Sequence, residues 1–97
     1  PGSSSFCDGN GHIFYIILRD FGQRTDFIEY MFKNGIGTPF HYIPLHSSPA
    51  GKKYGRAHGD LLITDELSSG LVRLPNYFTL SDDKIDYVID KVRAYFV

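Results

Sequence analysis

The 97-residue sequence has little of the residues that mark several specialised classes of protein. It has no tryptophan, one methionine and one cysteine, Cys7, which cannot form a disulfide within the chain. This usage is typical of a reducing compartment, so we expect a cytoplasmic protein. The formal net charge is only −1, so no basic excess favours nucleic acid as a partner. Apolar runs such as residues 16–18 are too short to cross a membrane, and no membrane partner is expected.

What the sequence has instead is the composition of one globular domain with a small core. Hydrophobic residues make up 42% of the chain and charged residues 22%. The aromatic share of 15% comes from seven tyrosines and eight phenylalanines. Residues 1–9 have neither an initiating Met nor a signal-peptide pattern. They are predicted to be a flexible lead-in or linker before a domain at residues 10–97.

Local patterns in the first half predict a strand, a helix and a second extended segment. Residues 12–18 are dense in β-branched and aromatic side chains, as in a mostly buried strand. Residues 23–34 repeat apolar positions at helical spacing, and Gly35 is a favourable helix stop. Residues 37–46 alternate as a strand does, but the two prolines within them restrict this strand to a short or edge position.

The second half is predicted to contain a long loop, a short helix, a brief strand and a final helix. Residues 47–59 are rich in Gly, Ser and Pro and are predicted to be the loop. Thr64 can cap the short helix, and the strand follows at residues 71–75. The last helix begins after Ser81 and has an apolar stripe at Ile85, Val88, Ile89, Val92 and Phe96. Val88, Ile89 and Val92 are predicted to anchor it to the sheet. This order predicts an α/β (α+β) fold, a two-layer sandwich with helices packed on one face of a small sheet.

Few motifs in the sequence suggest chemistry. The three histidines at 41, 46 and 58 lack the spacing of a zinc site, so no metal site is expected. The Gly-Lys pair at 51–52 lacks the other residues of a phosphate loop, although Lys52, Lys53 and Arg56 could still meet a phosphate as separate charges. No Ser or Cys has the context of a nucleophile, and none of the five lysines is predicted to be buried. We therefore expect no catalytic, cofactor-binding or metal-binding residue in this chain.

The most unusual segment is the hexapeptide His-Tyr-Ile-Pro-Leu-His at 41–46. Its two imidazoles and one phenol, those of His41, Tyr42 and His46, are a concentration of polar aromatic groups beside a Gly-rich loop. They either bind a ligand or belong to a packed strand end with satisfied histidines. His12 flanks the first strand and could lie nearby in the sheet, or it could be a structural histidine.

Four segments in order resemble the C-terminal end of one protein family. They are Asn-Gly-His-Ile-Phe-Tyr-Ile at 10–16, Phe-His-Tyr-Ile-Pro-Leu-His at 40–46, Ser-Pro-Ala-Gly at 48–51, and Val-Arg-Leu-Pro at 72–75 followed by Leu80 and Ser81. Together they resemble the DegT/DnrJ family of pyridoxal-phosphate-dependent sugar aminotransferases. The likeness is greatest to its dTDP-4-amino-4,6-dideoxygalactose transaminases, and it covers nearly the whole chain from about residue 10.

The resemblance implies a fold-type I enzyme that works as a homodimer, with pyridoxal 5'-phosphate and its Schiff-base lysine in a large N-terminal domain. Residues 10–97 would be the small C-terminal domain, which alone would be inactive and would bind no cofactor. The implied reaction moves an amino group from L-glutamate to C4 of a dTDP-4-keto-6-deoxyhexose for surface polysaccharide or lipopolysaccharide synthesis. His41, Tyr42, His46 and His12 would then be the candidates for binding the substrate. The alternative is a free-standing α/β binding or dimerisation module without catalysis.

Overall fold

A computed structural model describes Ser5 and residues 12–97 of the chain. Its elements are β1 (Phe14–Ile17), α1 (Phe21–Lys33), α2 (Pro49–Tyr54), α3 (Leu62–Gly70), β2 (Leu71–Leu74) and α4 (Asp82–Phe96). This mixture of helices and a small antiparallel sheet confirms the predicted α/β fold class. Most of the predicted lead-in at residues 1–9 lies outside the described residues.

β2 is paired on both sides in a two-stranded sheet that one isolated bridge extends. On one side it pairs antiparallel with β1. On the other side Val72 forms a single antiparallel bridge with Phe40, and the N–H of Arg73 donates to the carbonyl of Pro39 at 2.9 Å. The predicted strand over residues 37–46 is therefore wrong beyond this one bridge, because a proline has no N–H with which to extend a ladder.

The core lies where α1 packs against β2 and α4. Phe27, Met31 and Val72 are fully buried there, and Leu18 and Ile36 nearly so. Phe27 and Met31 share a face of α1 because they are four residues apart. The ring of Phe27 meets that of Tyr95 edge-on, with centroids 5.0 Å apart, which joins α1 to α4.

α1 begins two residues earlier than predicted. The carboxylate of Asp20 accepts a hydrogen bond from the N–H of Gln23 at 2.8 Å, so Asp20 caps the helix and Phe21 and Gly22 belong to its first turn. The predicted stop is confirmed at the other end. Gly35 has a φ of 77°, a left-handed conformation that glycine adopts without steric cost.

Two boundaries between residues 47 and 70 differ from the prediction. Residues 49–54 form α2 rather than loop, because the Ser48 hydroxyl accepts a hydrogen bond from the N–H of Gly51 and Pro49 occupies the first turn. α3 begins at Leu62 without a side-chain cap, so Thr64 lies inside the helix and does not begin it.

α4 begins after Ser81 as predicted, but only part of its apolar stripe reaches the core. Val88 and Val92 pack against the core, whereas Ile89 is 40% exposed. The prediction that Ile89 anchors the helix is wrong, since its side chain lies at the edge of the buried face. No helix among residues 12–97 has both the length and the apolar character needed to cross a bilayer.

Three tyrosine hydroxyls, which periodicity does not predict, also bind α4 to α1 and its C-terminal end. They belong to Tyr30, Tyr87 and Tyr95, and their acceptors are the carbonyl of Lys91, the carbonyl of Asn34 and a carboxylate oxygen of Asp26. Burial and the hydrogen bond to Asp26 raise the pKa of the Tyr95 phenol.

Candidate functional site

Residues 41–46 leave the sheet just after the Phe40 bridge. They run as irregular chain into a turn, in which the carbonyl of Pro44 accepts hydrogen bonds from the N–H groups of Ser47 and Ser48 at 3.1 and 3.0 Å. Tyr42 is 78% exposed and Leu45 is 85% exposed. The segment is thus an exposed connection with a fixed end, which is different from the packed strand end of the alternative interpretation.

Arg24 fixes the beginning of this segment against two helices. Its guanidinium lies 4.7 Å from the ring centroid of Phe21 and 4.8 Å from that of Phe40, a cation–π contact on each ring. Its Nη1 donates to the carbonyl of Ser68 in α3 at 3.0 Å. Partial burial lowers the pKa of Arg24 from its ordinary value. Because Phe40 is held in this way, the position at which His41 leaves the sheet is set by the fold.

His41 is the first candidate residue after this anchor. Its ring is half-buried and lies 5.3 Å from the ring of Tyr42, at an interplanar angle of 64°. Its Nδ1 is buried and has no hydrogen-bond partner among the described residues. Leaving such an atom unpaired costs about 1–3 kcal/mol. A polar group of a ligand would satisfy it.

His46 is held in a different way, by a carboxylate of α3. Its Nε2 lies 2.9 Å from Oδ1 of Asp65, and its side chain is only 17% exposed. The N–H does not point along this line, so the contact is not a well-formed hydrogen bond, and it is an ion pair only when the ring is protonated. Asp65 is about half exposed, which limits the strength of the pair. The pair links the turn at residues 44–47 to α3.

His12 is placed apart from the other three candidates. Ile16 of β1 and Phe40 both pair with Val72, so they are level with each other on opposite sides of β2. Both neighbours run antiparallel to β2, and they therefore run in the same direction. His12 comes four residues before Ile16, about 13 Å of extended chain, whereas His41 comes directly after Phe40. The structure brings His41 and Tyr42 together but directs His12 towards the other end of the sheet.

A cleft of ≈280 Å³ lies beside His46. Its lining comes from the turn before α2 and from α2 and the residues after it: Leu45, His46, Gly51, Lys52, Gly55, Arg56 and Ala57. A Cβ at Gly51 would overlap the carbonyl oxygen of Leu45, so only glycine fits where the two segments meet. The sequence prediction of a loop at 47–59 missed this cleft. The available signal was the Ser-Pro pair at 48–49, which caps and begins α2.

The lysines do not fit a covalently bound carbonyl cofactor. Four of the five are exposed on helices: Lys33, Lys52, Lys53 and Lys84. Lys91 is half-buried, with its ammonium 5.4 Å from the ring centroid of Tyr87. A Schiff-base lysine needs a desolvated environment that lowers its pKa, and none of these positions encloses the amine. In the part of the chain that the structure describes, no three metal-ligating side chains meet either.

Two comparisons with known proteins, one with family models and one with individual sequences, indicate the same family. The model of the DegT/DnrJ/EryC1/StrS aminotransferase family matches residues 5–93. The dTDP-3-amino-3,4,6-trideoxy-alpha-D-glucose transaminase of Micromonospora megalomicea subsp. nigra is 32% identical over 91 residues, which are 89% of this chain and 24% of that protein.

Two solved structures have the same fold. An aminotransferase of Streptoalloteichus hindustanus is 26% identical with a TM-score of 0.73, covering 87% of this chain and 22% of that one. A DegT/DnrJ/EryC1/StrS aminotransferase of Brucella abortus is 27% identical with a TM-score of 0.73, covering 86% of this chain and 22% of that one. The chain therefore spans between 22% and 24% of the length of these three proteins.

Proposed function

The chain belongs to the DegT/DnrJ/EryC1/StrS aminotransferase family, and from this premise we propose that it is the small C-terminal domain of a nucleotide-sugar aminotransferase. The observation that carries the proposal is the family match over residues 5–93, joined by a sugar transaminase that is 32% identical over 89% of the chain. The parent would be a cytoplasmic homodimer that supplies surface polysaccharide synthesis.

The proposed reaction moves the amino group of L-glutamate to C4 of a dTDP-4-keto-6-deoxyhexose. Glutamate becomes 2-oxoglutarate, and the C4 ketone becomes an amine. The choice of this sugar rests on the likeness of residues 40–46 and 48–51 to the dTDP-4-amino-4,6-dideoxygalactose transaminases.

Pyridoxal 5'-phosphate would supply the electron sink for this exchange in the parent enzyme. Because the lysines of this chain do not fit the cofactor, we place its lysine in another part of the parent. The residues of this chain would then bind and orient the substrate and would carry no covalent step.

We assign His41, Tyr42 and His46 to one wall of the sugar pocket. The unpaired Nδ1 of His41 can exchange a hydrogen bond with a sugar oxygen, and the exposed phenol of Tyr42 lies on the adjacent ring. His46 is fixed at the other end of the segment by Asp65. His12 is left out of this wall, because the strand register directs it towards the other end of the sheet.

Exposed aromatic side chains support an assembly larger than this chain. Five aromatic side chains are exposed by 48% to 104% of their area: Phe40, Tyr42, Tyr54, Tyr77 and Phe78. In the proposed enzyme this surface is covered in part by the large domain, since monomers rarely leave large apolar patches in water.

The test is His41→Ala in the full-length parent enzyme. We expect kcat/KM for the nucleotide sugar to fall by about 10- to 100-fold, equivalent to about 1.4–2.7 kcal/mol of lost positioning. The half-reaction with L-glutamate alone should lose less, because glutamate does not fill the sugar pocket. His58→Ala, at an exposed histidine of the loop after α2, is the matched control and should leave both half-reactions unchanged.

Two results would contradict the assignment of His41. An equal loss in both half-reactions would make it a structural residue, and no loss in either would remove it from the pocket wall. A parent enzyme that transfers no amino group to any nucleotide sugar would overturn the proposed function itself.

A further inference from the structure

The cleft beside His46 lies in the part of the sequence with no negative charge. Residues 30–59 contain no Asp or Glu, so all eleven carboxylates of the chain lie outside them. The same thirty residues contain four cations, Lys33, Lys52, Lys53 and Arg56, and three of the four histidines. A chain with a net charge of −1 therefore has a strongly positive segment, and the cleft lies within it.

Two of these cations, Lys52 and Arg56, line the cleft. Neither forms an ion pair with any carboxylate among residues 12–97. Asp65 approaches the lining, with its Oδ1 2.9 Å from Nε2 of His46, but it forms an ion pair with neither Lys52 nor Arg56. The charges of Lys52 and Arg56 therefore have no ion-pair partner inside the cleft.

The backbone around these two side chains is held in place by short hydrogen bonds. The Ser48 hydroxyl donates to the carbonyl of Leu45 at 2.9 Å and accepts from the N–H of Gly51 at 3.0 Å. The N–H of Gly55 donates to the carbonyl of Gly51 at 2.9 Å. A site whose backbone is already ordered loses less conformational entropy when it binds a ligand.

We propose that this cleft binds a phosphate-class anion through Lys52 and Arg56. Resting on the proposed function, we further assign the anion as the diphosphate of the nucleotide sugar. Lys52 would act as a compact charge, and the planar guanidinium of Arg56 can donate two parallel hydrogen bonds to phosphate oxygens. The volume of ≈280 Å³ is just below the range of about 300–1,000 Å³ for whole ligands, which suits one charged group of a larger molecule.

Lys53 provides a matched control within the same helix. It is exposed like Lys52, but it does not line the cleft, and its ammonium lies 5.0 Å from the ring centroid of Tyr54. A general attraction of anions to basic residues would involve both lysines equally. Binding in the cleft would involve Lys52 alone.

The experiment titrates the ¹⁵N-labelled 97-residue chain with inorganic pyrophosphate and follows amide chemical shifts by NMR. We expect saturable shifts centred on Gly51 and Gly55. Lys52→Ala and Arg56→Ala should each weaken binding by about 3- to 10-fold, as for the loss of one typical hydrogen bond. Lys53→Ala should change it by less than about 2-fold, since it removes only a screened surface charge. The dispersion of each variant's amide spectrum verifies folding, and Lys52→Gln is a second, milder variant.

Several results would overturn the proposal. Shifts that do not saturate, or equal weakening by Lys52→Ala and Lys53→Ala, would show diffuse charge attraction and no site. A parallel titration with dTDP tests the source of the anion, and dTDP should shift the same amides at least as strongly as pyrophosphate. If dTDP fails to do so while pyrophosphate binds, the cleft is a site for free pyrophosphate and the nucleotide-sugar assignment is wrong.

A kinetic measurement separates this inference from the proposed function. In the parent enzyme, Lys52→Ala should raise KM for the nucleotide sugar and leave kcat nearly unchanged, and Lys53→Ala should change neither. An unchanged KM in Lys52→Ala would refute the substrate assignment. Absence of any amino transfer in the unmodified parent would refute the proposed function, and the binding of pyrophosphate by the chain would still stand.

Discussion

Two regions of the molecule place their apolar residues in opposite ways. Where α1 packs against β2 and α4, Phe27, Met31 and Val72 are completely buried. Across residues 40–63, six large side chains expose 59% to 85% of their area: Tyr42, Ile43, Leu45, Tyr54, Leu62 and Ile63. No residue from 39 to 69 is fully buried. The first region is stabilised by its own core, whereas the second leaves its apolar and basic groups exposed.

Phe27→Ala gives the largest expected effect in this comparison. The ring is fully buried and packs against those of Tyr95 and Phe96, so its removal leaves a cavity between α1 and α4. We expect the free energy of unfolding to fall by about 3–5 kcal/mol, measured by urea denaturation. Phe32→Ala, in the same helix but 76% exposed, is the control and should cost less than about 0.5 kcal/mol. Similar losses in both variants would show that α1 does not bury the face assigned to it.

Gly51→Ala tests whether the exposed region also has a fixed structure. The added Cβ would meet the carbonyl oxygen of Leu45, and the turn before α2 would have to move. We expect a loss of about 1–3 kcal/mol, the usual range for overpacking, together with amide shifts limited to the surroundings of the cleft. Gly37→Ala has open space around its Cβ and no positive φ, so it should be nearly neutral. A neutral Gly51→Ala would mean that this turn is free to rearrange.

The difference between the buried core and the exposed residues 40–63 also explains how much of the structure could be predicted from the sequence. α1 and α4 could be predicted from apolar positions at helical spacing, and β1 from its density of β-branched and aromatic residues. The segment at 37–46 has the alternation of a strand, but its pairing partners are far along the chain and its prolines limit it to the Phe40 bridge. The separation of His12 from His41 depends on strand register, which local pattern does not determine. The cleft depends on close packing of Gly51 against Leu45, a contact visible only in three dimensions.

The smallest expected effect concerns acid stability at the start of α1, in the region with the core. Two hydrogen bonds lower the pKa of Asp20 below its usual value. The bond from the N–H of Gln23 has the larger effect and the bond from the Arg19 side chain the smaller one. Burial raises this pKa, but by less. A carboxyl group whose pKa is lower in the folded chain contributes stability above its unfolded pKa, about 3.9 for Asp. That contribution is lost as the pH falls through the lower, folded value. The stability of the chain should therefore decrease below about pH 4 partly through this one cap.

Asp20→Asn sharpens this prediction, because the amide oxygen can still accept the bond from Gln23 but the side chain no longer titrates. We expect thermal unfolding of the variant to depend less on pH between about pH 2 and 4 than that of the unmodified chain. Asp90→Asn makes the same change in formal charge at an exposed position of α4 and is the control for net charge. NMR titration of the Asp20 carboxyl gives the direct measurement. A value at or above that of an unfolded peptide would refute the capping role, and the early start of α1 would then need to be explained by its packing against β2, α3 and α4.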